Sequence, residues 1–161
     1  MKQKLSIGCD HGAIDLKNAL VAALSGDFEI TDEGTFDKSS VDYPDFAAKV
    51  CADVKSGNAG FGVLLCTTGI GMSIAANKVR GIRAALCHNE DCAKFSRLHN
   101  NANVICMGAK YVPAELAERL VRIFAETQFE GGRHERRVGK FMDFEKPPGY
   151  HSSAVKLPTS L

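Results

Sequence analysis

The sequence predicts an α/β fold in which a parallel sheet lies between two layers of helices. Two observations predict it. Five short apolar runs alternate along the chain with five stretches of helical periodicity, and such alternation favours a parallel sheet with helices on both faces. The run FGVLLCT at 61–67 is almost continuously apolar, as is typical of a strand covered on both sides. We therefore expect a three-layer α/β/α domain with a five-stranded, Rossmann-like sheet.

The five predicted strands are short and mostly apolar. They cover residues 4–10, 28–34, 61–67, 82–88 and 103–109. Each run is followed by a helical pattern, so each strand belongs to one strand–helix unit.

The predicted helices rest on apolar spacing and on residues that are typical of helix starts. Pro44 fits the first turn of the second helix, and the third is predicted at 71–79. Asn89 is expected to cap the fourth helix, and Pro113 to open the fifth. The apolar faces of the first, second, fourth and fifth helices are, in that order, Leu16, Leu20 and Leu24; Phe46, Val50 and Val54; Phe95 and Leu98; and Leu116, Leu120, Ile123 and Phe124.

An extra C-terminal helix is predicted after the two glycines at 131 and 132. Val138, Phe141 and Met142 form its apolar edge, which has no strand to cover and is expected to pack on another subunit. The tail at 147–161 contains three of the five prolines and is predicted to be irregular. No linker or repeat divides the chain, so residues 1–161 are expected to form a single domain.

The composition argues against several classes of protein. The net charge of +1 gives no overall attraction to nucleic acid or to a membrane surface. No apolar run reaches the roughly eighteen residues of a spanning helix, and the N-terminal apolar run is too short for a signal peptide. Most of the six cysteines lie in apolar runs and none forms a CxxC pair, which indicates free thiols and a cytoplasmic protein.

The candidate site lies where the predicted strands end, since ligands of open parallel sheets bind beyond the carboxyl ends of the strands. Asp10 and His11 follow the first strand, and Cys66 ends the third. Glycine-containing turns follow both and lead into helices, whose first N–H groups favour an anion such as a thiolate. Purely structural roles remain as alternatives to catalytic ones. Cys66 could be an ordinary buried cysteine, Asp10 a helix cap, and the histidines at 11, 88 and 99 structural residues.

Two ligand classes are disfavoured. Gly69 and Gly71 fit half of a dinucleotide-binding motif, but Ile74 replaces its third glycine and the loop follows the third strand. Cys87 and Cys92 could ligate a metal, but no second cluster completes a tetrahedral set. We therefore predict no metal and no cofactor.

A basic pair in the last helix is a candidate anion site. Arg133 and Arg137 are four residues apart and so share one helix face. Two guanidinium groups on one face suit a phosphate or a carboxylate. A solvated helix with ion pairs to Glu130 and Glu135 is the alternative.

Five segments resemble the type B ribose-5-phosphate isomerases, which group with the galactose-6-phosphate isomerase subunits. The segments are GCDHGAIDLK (8–17), DYPDFA (42–47), CTTGIGMSIAANKVRGIRAALC (66–87), SRLHNNANVICMGAK (96–110) and FEGGRHERRV (129–138). Their combination and order are highly specific. The resemblance implies an α/β/α domain that interconverts phosphorylated aldoses and ketoses in the pentose phosphate pathway, with neither metal nor cofactor. It also implies a homodimer, alone or as a dimer of dimers.

The resemblance further implies roles for individual residues. Cys66 is the base that moves a proton between C1 and C2, with Thr68 beside it among the catalytic residues, and His99 opens the sugar ring. The implied substrate-binding residues are Asp10, His11, Thr67, Gly69, Ile70, Gly71, Asn100, Lys110, Arg133 and Arg137. The two arginines hold the phosphate. In the family the site is shared, so that the Cys66 loop and His99 come from different subunits.

Two positions bear on the reaction. The family's loop commonly reads CGTGIG, and Thr67 replaces its first glycine here, which could narrow the pocket. Another branch has glycine at the position of Cys66 and glutamate at that of Met72, so this chain falls in the cysteine-base branch. The expected substrate is ribose 5-phosphate. A six-carbon sugar phosphate, such as allose or galactose 6-phosphate, and a non-catalytic sugar-phosphate binding module are the alternatives.

Overall fold

The computed structural model describes residues 1–147, and the predicted irregular tail lies outside the described residues apart from Pro147. The strands are β1 Gln3–Cys9, β2 Phe28–Gly34, β3 Phe61–Cys66, β4 Ala84–Leu86 and β5 Val104–Gly108. The helices are α1 Ile14–Leu24, α2 Tyr43–Ser56, α3 Ile70–Ala76, α4 Glu90–Asn100, α5 Ala114–Glu126 and α6 Arg133–Met142, followed by a short 3-10 helix at Asp143–Glu145. The predicted alternation of strands and helices is confirmed.

The five strands form one parallel sheet in the order β2-β1-β3-β5-β4. The chain builds outward from β1 to β2, then returns to β3 and continues on the other side. The strand order therefore reverses between β1 and β3, and the loops that leave these two strands separate toward opposite faces. Such a reversal opens a crevice at the carboxyl edge of the sheet.

Two apolar cores enclose the sheet, as the three-layer prediction requires. One core lies between the sheet and α1, α4 and α5, and the other between the sheet and α2 and α3. Alternate residues of β3 serve the two cores because successive side chains of a strand point to opposite faces. Leu65 belongs to the first core, whereas Leu64 and Cys66 belong to the second. Cys66 therefore points toward the α2/α3 layer.

The predicted helix starts are confirmed. The Asn89 side chain accepts a hydrogen bond of 2.8 Å from the Cys92 N–H at the start of α4. Pro44 lies in the first turn of α2, and Pro113 directly precedes α5. Among residues 1–147, no helix is both long enough and apolar enough to cross a bilayer.

Two elements are shorter than predicted. β4 covers three residues because it is an edge strand, and the Asn77 side chain bonds to both the N–H and the C=O of Ala84. Helix α3 was predicted to reach residue 79 but ends at Ala76, with Asn77 as its C-cap.

The extra helix α6 packs on α4 and on the 3-10 helix of its own chain, and Val138 is buried there. Its apolar edge is therefore not wholly free for another subunit.

Candidate functional site

Asp10 lies in the crevice at the end of β1. Its main-chain N–H donates to Leu65 O over 3.2 Å, and its Oδ1 accepts a hydrogen bond of 2.9 Å from the Gly12 N–H. The residue is only 8% exposed. The carboxylate is thus held in place by the turn that follows it and tied to the neighbouring strand.

The loops after β1 and β3 touch each other. A Cβ atom placed on Gly12 would collide with Thr67 Oγ1. Glycine at this position therefore allows the Thr67 side chain to lie against the first loop. Contact between the loops places the Asp10 turn beside the Cys66 turn.

His11 is exposed, and the main chain selects its tautomer. The N–H of Val41 donates to His11 Nδ1 over 3.3 Å. A nitrogen that accepts this bond cannot itself carry a proton, so the neutral imidazole carries its proton on Nε2. His11 can thus donate a hydrogen bond from Nε2 to a ligand hydroxyl.

The Cys66 sulfur accepts a hydrogen bond from its own loop. The Gly69 N–H lies 3.0 Å from Sγ, in a turn where Gly69 adopts a φ of 77°. Hydrogen bonding to the charged form of a group stabilises that form, so this N–H favours a thiolate. Cys66 is the only cysteine within residues 1–147 whose sulfur accepts a main-chain N–H in this way.

The end of β5 holds the Cys66 loop. The N–H groups of Ala109 and Lys110 donate to the carbonyls of Cys66 and Thr67 over 2.9 and 3.0 Å. Gly108 permits this approach, because a Cβ atom there would lie 2.5 Å from the Thr68 main chain. Main-chain hydrogen bonds at Cys66 and Thr67 therefore hold the loop in position.

Burial disfavours ionisation of the other buried thiols. Burial raises the pKa of Cys9 and of Cys51 to about 11 and that of Cys87 to about 12. Burial also raises the pKa of Cys106. These thiols stay protonated near neutral pH, and all six cysteines are free, as predicted.

Tyr43 borders the loop that follows Cys66. A Cβ atom on Gly71 would lie 2.7 Å from the Tyr43 ring, so the ring packs directly on this glycine at the start of α3. Tyr43 is 38% exposed at the first residue of α2. Sequence reasoning assigned it no role, although it lies in the DYPDFA segment.

His99 lies at the opposite edge of the sheet. Helix α4 starts after the carboxyl end of β4 and ends before the amino end of β5, so its 11 residues span about 16 Å between the two edges. His99 and Asn100 are in its last turn. The N–H of Glu130 donates to Leu98 O over 3.1 Å, which holds the segment before α6 at this same edge.

The residues predicted for the site therefore form two groups. The carboxyl-edge group consists of Asp10, His11, Cys66, Thr67, Thr68, Gly69, Ile70, Gly71 and Lys110. The amino-edge group consists of His99, Asn100, Arg133 and Arg137. A single chain does not bring the two groups together.

His99 has close neighbours that sequence reasoning missed. Its Nε2 lies 3.6 Å from Glu130 Oε2, and its ring stacks on that of His134 with centroids 4.1 Å apart. The donor atoms of the three residues lie within 4.8 Å of one another. The two ring planes are parallel within 1°, so the lone pairs of the imidazoles do not converge on one point, as a metal would require.

Comparison with known proteins gives a consistent result. The family described as Ribose/Galactose Isomerase matches residues 5–141. Ribose-5-phosphate isomerase B of Escherichia coli K12 is 43% identical over 137 residues, which are 84% of this chain and 92% of that protein. The structure of Clostridium thermocellum ribose-5-phosphate isomerase B is 46% identical, with a TM-score of 0.87 over 89% of this chain and 97% of that one. The Trypanosoma brucei type B enzyme is 39% identical, with a TM-score of 0.86 over 90% and 100%.

Proposed function

Since the chain belongs to the Ribose/Galactose Isomerase family, we propose that it interconverts ribose 5-phosphate and ribulose 5-phosphate with Cys66 as the base. Membership of this family makes the chain an isomerase. The observation that carries the finer proposal is the hydrogen bond of 3.0 Å from the Gly69 N–H to Cys66 Sγ. This N–H would stabilise negative charge on the sulfur, as a base in the thiolate form requires.

The proposed proton transfers use the Cys66 loop. The thiolate removes the proton from C2 of the open-chain aldose, and the electron pair moves through C1 to O1 to form an enediolate. The Thr68 hydroxyl, in the same turn, passes the proton of O2 to O1. The thiol then returns its proton to C1 as the electron pair on O2 forms the C2 carbonyl.

The same turn provides donors for the negative charge on the enediolate. Gly71 and Met72 belong to the first turn of α3, whose N–H groups lack acceptors within the helix. Such preorganised donors stabilise an oxyanion as it develops. Asp10 and the Nε2 proton of His11 are suited to the sugar hydroxyls.

The remaining groups come from a second copy of the chain in this proposal. His99, Asn100, Arg133 and Arg137 lie at the amino edge, whereas the reacting carbons lie beside Cys66 at the carboxyl edge. A two-fold dimer that joins one edge to the other would form two equivalent sites. The partner's arginines would hold the phosphate, and that remote binding energy would orient the open chain over the thiolate.

Apolar surface beside the Cys66 loop supports a dimer. Ile70, Leu86 and Tyr111 are 51%, 38% and 60% exposed, and together with Thr68 they line a pocket of about 420 Å³. Large exposed apolar side chains that cluster together indicate an interaction surface. A second copy seated here would cover these side chains and enclose the Cys66 loop.

A panel of sugar phosphates tests the function. We expect conversion of ribose 5-phosphate to the ketose, and we expect Cys66→Ala to lower kcat by about 100-fold or more while KM changes little. Cys92→Ala, which removes a half-buried thiol away from the loop, should retain wild-type kcat. Preference for a six-carbon sugar phosphate would overturn the substrate, and binding without turnover would overturn catalysis.

A further inference from the structure

Two side chains next to His99 are left without a role by the proposed reaction. His99 and His134 stack with centroids 4.1 Å apart and planes within 1° of parallel. Glu130 Oε2 lies 3.6 Å from Nε2 of His99 and 3.9 Å from Nε2 of His134. We call Glu130, His99 and His134 the His99 cluster.

His134 forms the buried side of this cluster. It is 4% exposed, whereas the His99 side chain is 36% exposed, so His134 is the fixed ring against which His99 rests. The Arg133 Nε–H donates to His134 Nε2 over 3.3 Å. A guanidinium only donates, so this nitrogen is unprotonated and the imidazole is neutral. The His99 ring can therefore gain a proton without repulsion from a second charged imidazole.

Glu130 holds the other side of the cluster. Its main-chain N–H donates to Leu98 O over 3.1 Å, which ties it to the last turn of α4 beside His99. A carboxylate only accepts hydrogen bonds, so it favours the proton of His99 on Nε2, the nitrogen that faces it. Nδ1 of His99 is then the nitrogen that can exchange a proton with a sugar.

We propose that Glu130 and His134 are positioning residues for His99. His134 sets the plane of the His99 ring, and Glu130 sets which nitrogen carries the proton. The inference rests on the proposed function, together with the ring-opening role that the family resemblance implies for His99. There, Nδ1 takes the proton from the O1 hydroxyl, C1–O4 breaks as the C1 carbonyl forms, and the same nitrogen returns the proton to O4.

Two measurements separate ring opening from the chemistry at C1 and C2. Ribulose 5-phosphate is open-chain, because the phosphate on O5 prevents furanose formation. Exchange of its C1 hydrogen with deuterium from the solvent needs the Cys66 step but no ring opening. Conversion of ribose 5-phosphate to the ketose needs both steps, so the ratio of the two rates reports on ring opening.

The test uses variants of the full chain. We expect His134→Ala and Glu130→Gln to lower the conversion of ribose 5-phosphate by about tenfold or more and to change deuterium exchange by less than about twofold. His134→Phe retains a stacking ring and should keep most of the conversion rate. Glu135→Gln changes an exposed carboxylate in α6, the helix that contains His134, but outside the His99 cluster. It should leave both rates unchanged.

The outcomes distinguish the inference from the function on which it rests. If the variants lose both rates equally, or lose neither, the positioning role is overturned. The proposed function still stands in that case, provided that the wild type converts ribose 5-phosphate. A wild-type protein that does not convert ribose 5-phosphate would overturn both. If His134→Ala does not fold, Glu130→Gln decides alone, since this side chain is 53% exposed.

Discussion

Cys66 and His99 lie at opposite edges of the same sheet. Cys66 ends β3 at the carboxyl edge, and His99 lies in the last turn of α4 at the amino edge. A helix of 11 residues separates the two edges by about 16 Å, which is too far for both side chains to contact one sugar. The proposed site, which uses both residues, therefore takes them from two copies of the chain.

Mixing inactive variants tests this arrangement. Cys66→Ala and His99→Ala homodimers should each be nearly inactive, and refolding an equal mixture should restore about a quarter of wild-type activity. Random pairing makes about half of the dimers mixed, and each mixed dimer has one site with both lesions and one with neither. Activity is measured on the refolded mixture, and two different affinity tags show that mixed dimers have formed.

Asp10→Ala provides the matched control for the mixing experiment. Asp10 and Cys66 lie at the same edge and would enter the same site from the same chain. Every site of a mixed dimer of Asp10→Ala and Cys66→Ala would then carry one of the two substitutions. We therefore expect this mixture to recover no activity. No recovery in the Cys66→Ala and His99→Ala mixture, despite mixed dimers, would rule out the shared site.

The arginines of α6 should govern binding of the phosphate. We expect Arg133→Ala and Arg137→Ala each to raise KM for a phosphorylated sugar by about 10- to 100-fold, because each removes charge-assisted hydrogen bonds. Arg119→Ala removes the same charge from α5, where Arg119 pairs with Glu90, and should leave KM unchanged. Equal use of ribose and ribose 5-phosphate by the wild type would show that the two arginines merely face solvent.

The contact between Gly12 and Thr67 predicts a compensating pair of substitutions. Gly12→Ala should lower kcat/KM by about tenfold, because the new Cβ would collide with Thr67 Oγ1 and push the two loops apart. Adding Thr67→Gly removes that collision and should restore most of the activity. Gly26→Ala, at a position with open space around it, is the control. A double variant as impaired as Gly12→Ala would contradict the contact.

The buried thiols predict a loss of stability at alkaline pH. Burial raises the pKa of Cys51 from 9.0 to about 11 in the folded chain. The unfolded state therefore loses its thiol proton first, so the stabilisation is complete below about pH 9 and is lost as the pH rises toward 11. For one such thiol the loss is about 2 kcal/mol at pH 11.

Urea unfolding at several pH values measures this effect. The free energy of unfolding of the wild type should fall between pH 8 and pH 11, and Cys51→Ala should show a smaller fall by about 2 kcal/mol. Cys92→Ala removes a thiol that is only half-buried and is measured alongside as a control for the substitution itself. Identical pH dependence in Cys51→Ala and wild type would show that this thiol is not protected by burial.

Local patterns in the sequence were sufficient for the secondary structure because each element carries its own signal. The apolar runs, the Asn89 cap and the prolines at 44 and 113 are short-range features, and the structure confirms them. β4 was predicted too long, because its residues are as apolar as those of an inner strand. Its position at the sheet edge, where Asn77 takes over part of the pairing, depends on the whole fold.

The sequence by itself determined the fold class, the thiol at the end of β3 and the arginine pair on one face of α6. Each follows from spacing of a few residues along the chain. Only the tertiary structure decided that Thr67 lies against Gly12 and that the His99 cluster assembles at the far edge. The physical reason is that these contacts join segments whose approach depends on strand order and helix length, which no local pattern contains.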